Sequence, residues 1–334
     1  MIGQILAGSE DDIRRAHDRF QSQPVDMTMF TNANRAARPF ARTIGSSVSV
    51  EGPGTFLGRA TRTLTLEPAA RNGWWFERTD LPESLPIHVS VDNVWTTARN
   101  IVLRSGSPHN YMRMVEHIIA LKEGMCLDSL TIKMDSGDPP LFDRGSMDLV
   151  EAIDRAGIVD TTTPARYVGV REPVTVGGSN GSFLTFLPPE GDQKQFLVDC
   201  AIDFKTAIGR QRIQFEMSDE SLRHGACART NTTFAKMLFC RTIGKLFADV
   251  RNLGYTNRNI LIAGRCGYAN KPQLIHNGVS LEAAWHRAVM DLVAAVGLID
   301  RGRFAGKIES YRAGHTLDVV MIRNLYRRDL LVDL

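Results

Sequence analysis

What the sequence lacks narrows its class. No apolar run approaches the ~20 residues that a membrane-crossing helix needs, so stable insertion into a bilayer is not expected. No C-x-x-C pair occurs. The five cysteines (Cys126, Cys200, Cys227, Cys240 and Cys266) are odd in number and each lies in or near an apolar run. They read as reduced, mostly structural thiols of a reducing compartment. An excess of one charge is also missing. Lys and Arg number 40 against 37 Asp and Glu, a net charge of +3. That argues against a dedicated nucleic-acid surface, which needs a concentrated basic face. It leaves room for local basic patches that hold an anionic small molecule. The first residues, MIGQILAGSEDDIRRAHDRF, turn acidic after a very short apolar start and do not resemble a signal peptide. The expected location is cytoplasmic, and a monomer is the expected state.

What is present is ordinary for a globular protein: 43% hydrophobic and 23% charged residues over 334 positions, enough for two domains. Residues 1–39 read as an N-terminal arm. Ser9 and Asp12 suit the start of a short helix toward Phe20, and QSQPVDMTMFTNANRAARP reads as a linker. From Phe40 strand signals dominate, with SVSV and TRTLTLEP alternating at period two. A helix is expected over Tyr111–Lys122, closed by Gly124. The strand LDSLTIKMD follows, then a turn, PPLFDRGS, leading to a second helix. A boundary is expected near residue 165. The second half repeats the order: strands in FLTFLPP, QFLVDCAIDF and RQRIQFEM, a helical portion in TFAKMLFCRTIGKLFADVRNLG, the strand NILIAG, a long helix from Ser280, the strand KIESYRAGH and a final helix. The fold class this implies is α+β: two similar layered domains, 40–164 and 165–334, each a mainly antiparallel sheet with helices.

Three segments carry groups suited to chemistry. In MVEHIIAL, Glu116 and His117 stand side by side on an apolar helix. Neighbours on a helix point about 100° apart and can flank one site. A neutral imidazole is a good zinc ligand, and a carboxylate beside it is a good general base. Taken alone, the stretch reads more readily as a core histidine satisfied by its neighbour or a nearby Arg. In AWHRAVMD, His286 and Asp291 are five apart, where chelation from a regular helix wants four. A one-residue π-bulge restores the match, while Arg287 and Asp291 form a competing i, i+4 ion pair. In SYRAGHTLD, His315 follows Gly314 at a strand-to-helix junction; it reads either as a side chain pointing into a cleft, with Asp318 three residues on able to orient the ring, or as a helix-start histidine exposed to water.

Together these segments resemble one family, the LpxC-type UDP-3-O-acyl-N-acetylglucosamine deacetylases, zinc amidohydrolases of lipid A synthesis. MVEHIIAL and DRGS resemble its V-E-H helix and D-G-S turn. AIDFKTAIGRQ resembles its I-D-F…I-G-R-Q segment, CRTIG its A-R-T-F-G, and GKIESYRAGHTL its G-H-A-L region. The order holds from about Phe40 to the C-terminus. The resemblance implies helices sandwiched between sheets. It implies Zn²⁺ held by His117, His286 and Asp291, with Glu116 as general base. His315 would be the second acid–base group and Thr242 the hydroxyl that polarises the substrate carbonyl. The implied substrate is a small molecule, an acylated amino-sugar nucleotide. In the family's passage for an acyl chain, the matching stretch here is ILIAGRCGYANKPQLIHNG.

The departures cluster at the site. The family's H-K-x-x-D is one residue longer here. With a bulge, His286 is a ligand and Arg287 replaces the lysine beside it. With a regular helix, Arg287 pairs with Asp291, and the protein is a metal-free relative that binds a sugar nucleotide, lipid or protein partner. Ala295 stands where the family has a second Asp, a place Asp318 would fill. Phe56 stands where the family has a His, and DRGS carries one insertion. A metal-dependent hydrolase of another amide is the third reading.

Overall fold

Alternation at period two places side chains on opposite faces of a strand, and it predicts the sheets well. The structure is a computed structural model that describes residues 2–30, 37–54, 60–69, 71–233, 236, 238–239 and 256–334. The fold is α+β. One sheet has five strands, in the order Val48–Pro53, Thr61–Glu67, Ser129–Met134, Gly73–Arg78 and Ile87–His88. A second has seven: Gln4–Ala7, Val174–Gly178, Ser182–Leu187, Gly306–Tyr311, Phe196–Asp203, Arg210–Glu216 and Met27–Met29. Phe40, Thr242, Cys240 and the flanking segments have different fates: Phe40 begins the strand Phe40–Ile44, whereas Phe56, Cys240, Thr242 and most of the helical portion expected around them lie outside the described residues.

Among the described residues the main helices, in chain order, are α1 (Glu10–Gln21), α2 (Glu116–Gly124), α3 (Met147–Ala156), α4 (Asp219–Ala226), α5 and α6 (His315–Arg327). Helix α5 runs in three stretches: α-helical Glu282–Trp285, π-helical His286–Leu292 and α-helical Val293–Val296. It is buried almost all round, as its run of Ala, Val, Leu and Trp requires. One side packs on the strands Phe196–Asp203 and Arg210–Glu216, and another on α2. Helix α3 lies on the five-stranded sheet and α6 on the seven-stranded one. A single apolar cluster therefore runs from Leu64 and Ile132 of one sheet, through Ile119 of α2 and Val293 of α5, to Leu184 and Phe186 of the other.

The expected arm is instead part of the second sheet. Gln4–Ala7 pairs in parallel with Val174–Gly178, and Met27–Met29 with Arg210–Glu216, so the first thirty residues supply both edge strands. Between them, Ile13, Ala16 and Phe20 of α1 sit at i, i+3 and i+7 and pack on Phe183, Ala201 and Tyr311, the outer face of the sheet. The expected boundary near 165 falls between two strands, Ile158–Pro164 and Tyr167–Val170. The helix expected from Tyr111 begins later. Tyr111–Met112 is a short strand, Met114 turns with φ 52°, and the helix starts at Glu116.

Candidate active site

Three helix segments meet between the sheets. The first turn of α2 brings Glu116 and His117, the π-helical stretch of α5 brings His286 and Asp291, and the first turn of α6 brings His315. A π-helical turn bonds i to i+5, which puts residues five apart on one face. His286 Nδ1 stands 3.7 Å from Asp291 Oδ1. The His117 and His286 rings lie 5.2 Å apart. His315 Nε2 is 3.6 Å from Glu116 Oε1 and 3.7 Å from Asp291 Oδ1. The backbone N–H of Ile101 donates to Glu116 Oε1.

Two neighbours fix the imidazoles. Ser146, the last residue of DRGS, donates to the His117 carbonyl at 3.0 Å, and its Oγ lies 3.4 Å from His117 Nδ1. That turn needs glycine before it. Gly145 has φ +65°, and a Cβ there would meet Ala226 O at 2.4 Å. On the other side, Thr230 Oγ1 is 2.9 Å from His286 Nε2. Thr230 is aimed by its neighbour. Arg229 makes a buried two-pronged ion pair with Glu282, Nε to Oε1 at 2.5 Å and Nη2 to Oε2 at 3.0 Å, one turn before His286.

Thr230 was not anticipated, although the signal was present. Cys-Ala-Arg-Thr at 227–230 contains the letters A-R-T outright, whereas Cys-Arg-Thr at 240–242 only approximates them. Thr242 itself lies outside the described residues. Nothing in the sequence pointed to the Ile101 N–H.

Arg287 does not make the expected ion pair with Asp291. Its Nη2 donates to Asp318 Oδ1 at 2.6 Å and its Nε to Ala313 O at 2.8 Å. Its carboxylate partner is thus Asp318 and not Asp291, because the π stretch turns the two residues apart. Asp318 is fully buried and its Oδ1 is held by Arg287. Of the residues expected in an acyl-passage wall, Ile260, Leu261 and Ile262 are buried in a strand paired with Thr230–Thr233, Leu274 is half-buried and Ile275 is exposed. An apolar pocket does reach His117 and Thr230, but Leu64, Met114, Ile118, Pro140 and Phe142 line it. A wider, open groove of about 370 Å³ meets His315 from the other side, with Arg99, Asn180, Arg312 and Thr316 along it.

The electrostatics divide the cluster. Burial pushes Glu116 up to about 7, against the pull of His315. Burial, reinforced by His286, pushes His117 down to about 3, and burial lowers His286 as well. Asp291 moves the other way: burial opposes its charge, but His315 and His286 hold it below the usual carboxylate range. His315 is raised, since Asp291 and Glu116 outweigh its burial. The cluster thus combines two imidazoles biased toward the neutral form, an aspartate biased toward its anion, a carboxyl pushed up to about 7 and an imidazole biased toward its cation. A base and an acid side by side, such as Glu116 and His315 at 3.6 Å, can move protons to and from a reacting group.

Among the described residues no three His, Cys, Asp or Glu groups converge closely enough to hold a metal ion as placed. The donors nevertheless fit Zn²⁺ in kind, with two imidazole lone pairs and one carboxylate in a buried setting. The 3.7 Å between His286 Nδ1 and Asp291 Oδ1 lies just beyond the edge of about 3.3–3.6 Å that tetrahedral bonds of about 2.0–2.2 Å imply.

With that arrangement established, comparison supplies the family. A family model described as UDP-3-O-acyl N-acetylglycosamine deacetylase (LpxC) matches residues 41–327, and the chain belongs to that family. Relatives from Brucella ovis, Brucella abortus and Brucella melitensis, each named UDP-3-O-acyl-N-acetylglucosamine deacetylase, are 27% identical over 288 residues. The match spans 86% of this chain and 95% of each relative. No helix among the described residues is long and apolar enough to cross a membrane.

Proposed function

We propose that the protein is a zinc-dependent N-deacetylase that hydrolyses the acetamide of a UDP-linked, 3-O-acylated N-acetylglucosamine. The observation that carries this reading is the meeting of Glu116, raised to about 7, with the raised His315 at 3.6 Å. His117, His286 and Asp291 would hold the metal. Zn²⁺ bound there supplies a Lewis acid that polarises the amide and makes a water easier to deprotonate.

Glu116 takes the proton of the attacking water, a task for which a pKa near neutrality is suited. The Ile101 N–H fixes the oxygen of Glu116 that faces His315. His315, charged, stabilises the developing oxyanion and then donates from Nε2 to the leaving amine. Asp291 keeps His315 protonated. Thr230 orients His286 and takes the hydroxyl role first given to Thr242. The apolar pocket beside His117 receives the acyl chain. The open groove beside His315 receives the nucleotide, with Arg99 and Arg312 toward its phosphates.

Elemental mass spectrometry of the purified protein, alongside amine release from UDP-3-O-acyl-N-acetylglucosamine, tests the reading. The expected outcome is about one zinc per chain, lost in His286→Ala, and hydrolysis by the wild type. No metal after reconstitution, with no amine released, would sink it in favour of a metal-free binding relative. Zinc with hydrolysis of other amides alone would move the reading to another substrate.

A further inference from the structure

Helix α2 has two working ends. Its first turn carries Glu116 and His117. Its last residues, with Met125 and Cys126 after them, line a second cavity of about 430 Å³. From Glu116 to Glu123 the helix rises about 10 Å, and the described lining of this cavity shares no residue with the His315 cluster.

The wall of the cavity carries more cations than its carboxylates neutralise. Two of the cations are already committed. Arg223 binds Asp154 at 2.7 Å and Asp219 at 2.8 Å, and Arg303 holds Asp128 in a two-pronged pair at 3.0 and 2.6 Å. Arg38, Arg42 and Lys194 remain, with Glu216 and Glu123 as the other carboxylates on the wall. The nearest carboxylate to Arg42 is Asp160 at 3.7 Å, largely exposed and so screened by water. Lys194 Nζ donates to Leu334 O at 2.8 Å and sits 5.1 Å from the centre of the Tyr167 ring. The Arg38 side chain has no partner among the described residues. Tyr167 gathers the group: its hydroxyl accepts from the Arg38 N–H at 3.0 Å and from Arg303 Nη1 at 3.1 Å. Burial lowers the pKa of Arg42, and repulsion from Arg38 and Arg303 lowers it further. Like charges held together cost free energy, and an anion among them relieves that cost.

Glu123 gives an independent sign of a ligand. It is 6% exposed, and its Oε1 has no hydrogen-bond partner among the described residues, while Oε2 accepts from the Phe304 N–H at 3.3 Å. Burial pushes its carboxyl up, toward the protonated form, which donates a hydrogen bond as the arginines do. A buried polar atom left unpaired is costly, and a ligand oxygen would satisfy it. Guanidinium forks fit phosphate and carboxylate alike. Three uncommitted cations favour phosphate, which brings three acceptor oxygens and up to about two charges. The volume leaves room for an organic group beside it, against Met125, Met217 and Phe304.

We propose that this cavity is a ligand site separate from the reaction, for a small organic phosphate whose phosphoryl oxygens are held by Arg38, Arg42 and Lys194 and meet Oε1 of Glu123. Calorimetric titration of the full-length protein with glycerol 3-phosphate, inorganic phosphate and butyrate tests it. Glycerol 3-phosphate is expected to bind at about one per chain with a Kd below about 1 mM. Each lost charge-assisted hydrogen bond is expected to weaken it about 10–100-fold, in Arg42→Met and in the double variant Arg38→Met with Lys194→Met. Arg42 also holds Met125 O at 3.2 Å, so its variant is read beside a thermal melt. Arg38 is exposed and Lys194 partly so, and the double variant is expected to keep the fold. Arg312→Met, in the groove beside His315, should bind as the wild type does. No saturable binding, binding that survives the double variant, or binding lost in Arg312→Met instead overturns the proposal. Butyrate binding as tightly as glycerol 3-phosphate overturns the assignment to phosphate, and inorganic phosphate binding as tightly overturns the organic group. Binding is read without turnover, so these outcomes stand apart from whether the protein is a deacetylase.

Discussion

His117 and His315 sit in one site and are the same residue type, yet the protein drives them in opposite directions. His117 is placed among apolar side chains beside a second imidazole, and it is pushed down to about 3. His315 faces two carboxylate oxygens at 3.6 and 3.7 Å and is raised. Burial alone lowers a histidine, so the difference comes from which partners each ring faces. On the proposed reading, one serves as a lone-pair donor and the other as a proton donor. Glu116, next to His117 in sequence and against His315 in space, belongs to both environments.

Removing that shared residue is the strongest way to break the contrast. Glu116→Gln is expected to lower kcat by about 10²–10⁴-fold while metal content by elemental analysis stays that of the wild type. Loss of the metal together with activity would mean that Glu116 serves the ligand side and not the proton side.

A second experiment sharpens the contrast through stability. His117 has a folded pKa of about 3 against an ordinary 6.5. Between those values the unfolded state holds more protons, so stability rises with pH there. Glu116 has a folded pKa of about 7 against an ordinary 4.5. Between those values the folded state holds more protons, and its contribution falls as pH rises. The two oppose one another from 4.5 to 6.5 and His117 prevails below. In chelator-treated protein, His117→Asn should flatten the urea-derived stability curve between pH 3 and 4.5, by up to about 1.4 kcal/mol per pH unit. An equally steep acid limb in the variant would reassign that slope to other groups, His286 first.

The smallest effect is expected at Thr230, whose hydroxyl lies against the His286 ring. Thr230→Val removes its 2.9 Å contact with His286 Nε2. Outer partners of metal-binding histidines are worth about 10–100-fold in affinity or activity, and the low end is expected because Asp291 still faces the same ring. Zinc titration with a competing chelator measures it. Unchanged affinity and rate would remove Thr230 from the site.

Much of this was legible in the sequence because strand periodicity is local. TRTLTLE and RQRIQFE were readable as strands, and they are strands over Thr61–Glu67 and Arg210–Glu216. The strand in LDSLTIKMD spans Ser129–Met134. What depended on distant partners was not legible. QILA has no strong strand pattern of its own, and it becomes one by pairing with Val174–Gly178. The partner of Arg287 could not be read either. A regular helix favours Asp291 at i+4, and only the backbone of the π stretch directs the guanidinium to Asp318. Thr230 was missed for a different reason: a second Arg-Thr pair twelve residues later competed for the same motif.

The seven-stranded sheet has one more implication, for the order in which the chain assembles. Its middle strand, Gly306–Tyr311, is made long after both of its rims, Gln4–Ala7 and Met27–Met29. Gln4–Ala7 has nowhere to dock until strands about 170 residues downstream exist. Domains made in order can fold as they emerge, but this sheet closes only once Gly306–Tyr311 is available. Its pairings span long sequence separations, the feature that slows folding. Nascent chains halted before Gly306 should therefore leave Ile13 and Phe20 without their full sheet, open to protease and to chaperones until Gly306–Tyr311 has emerged.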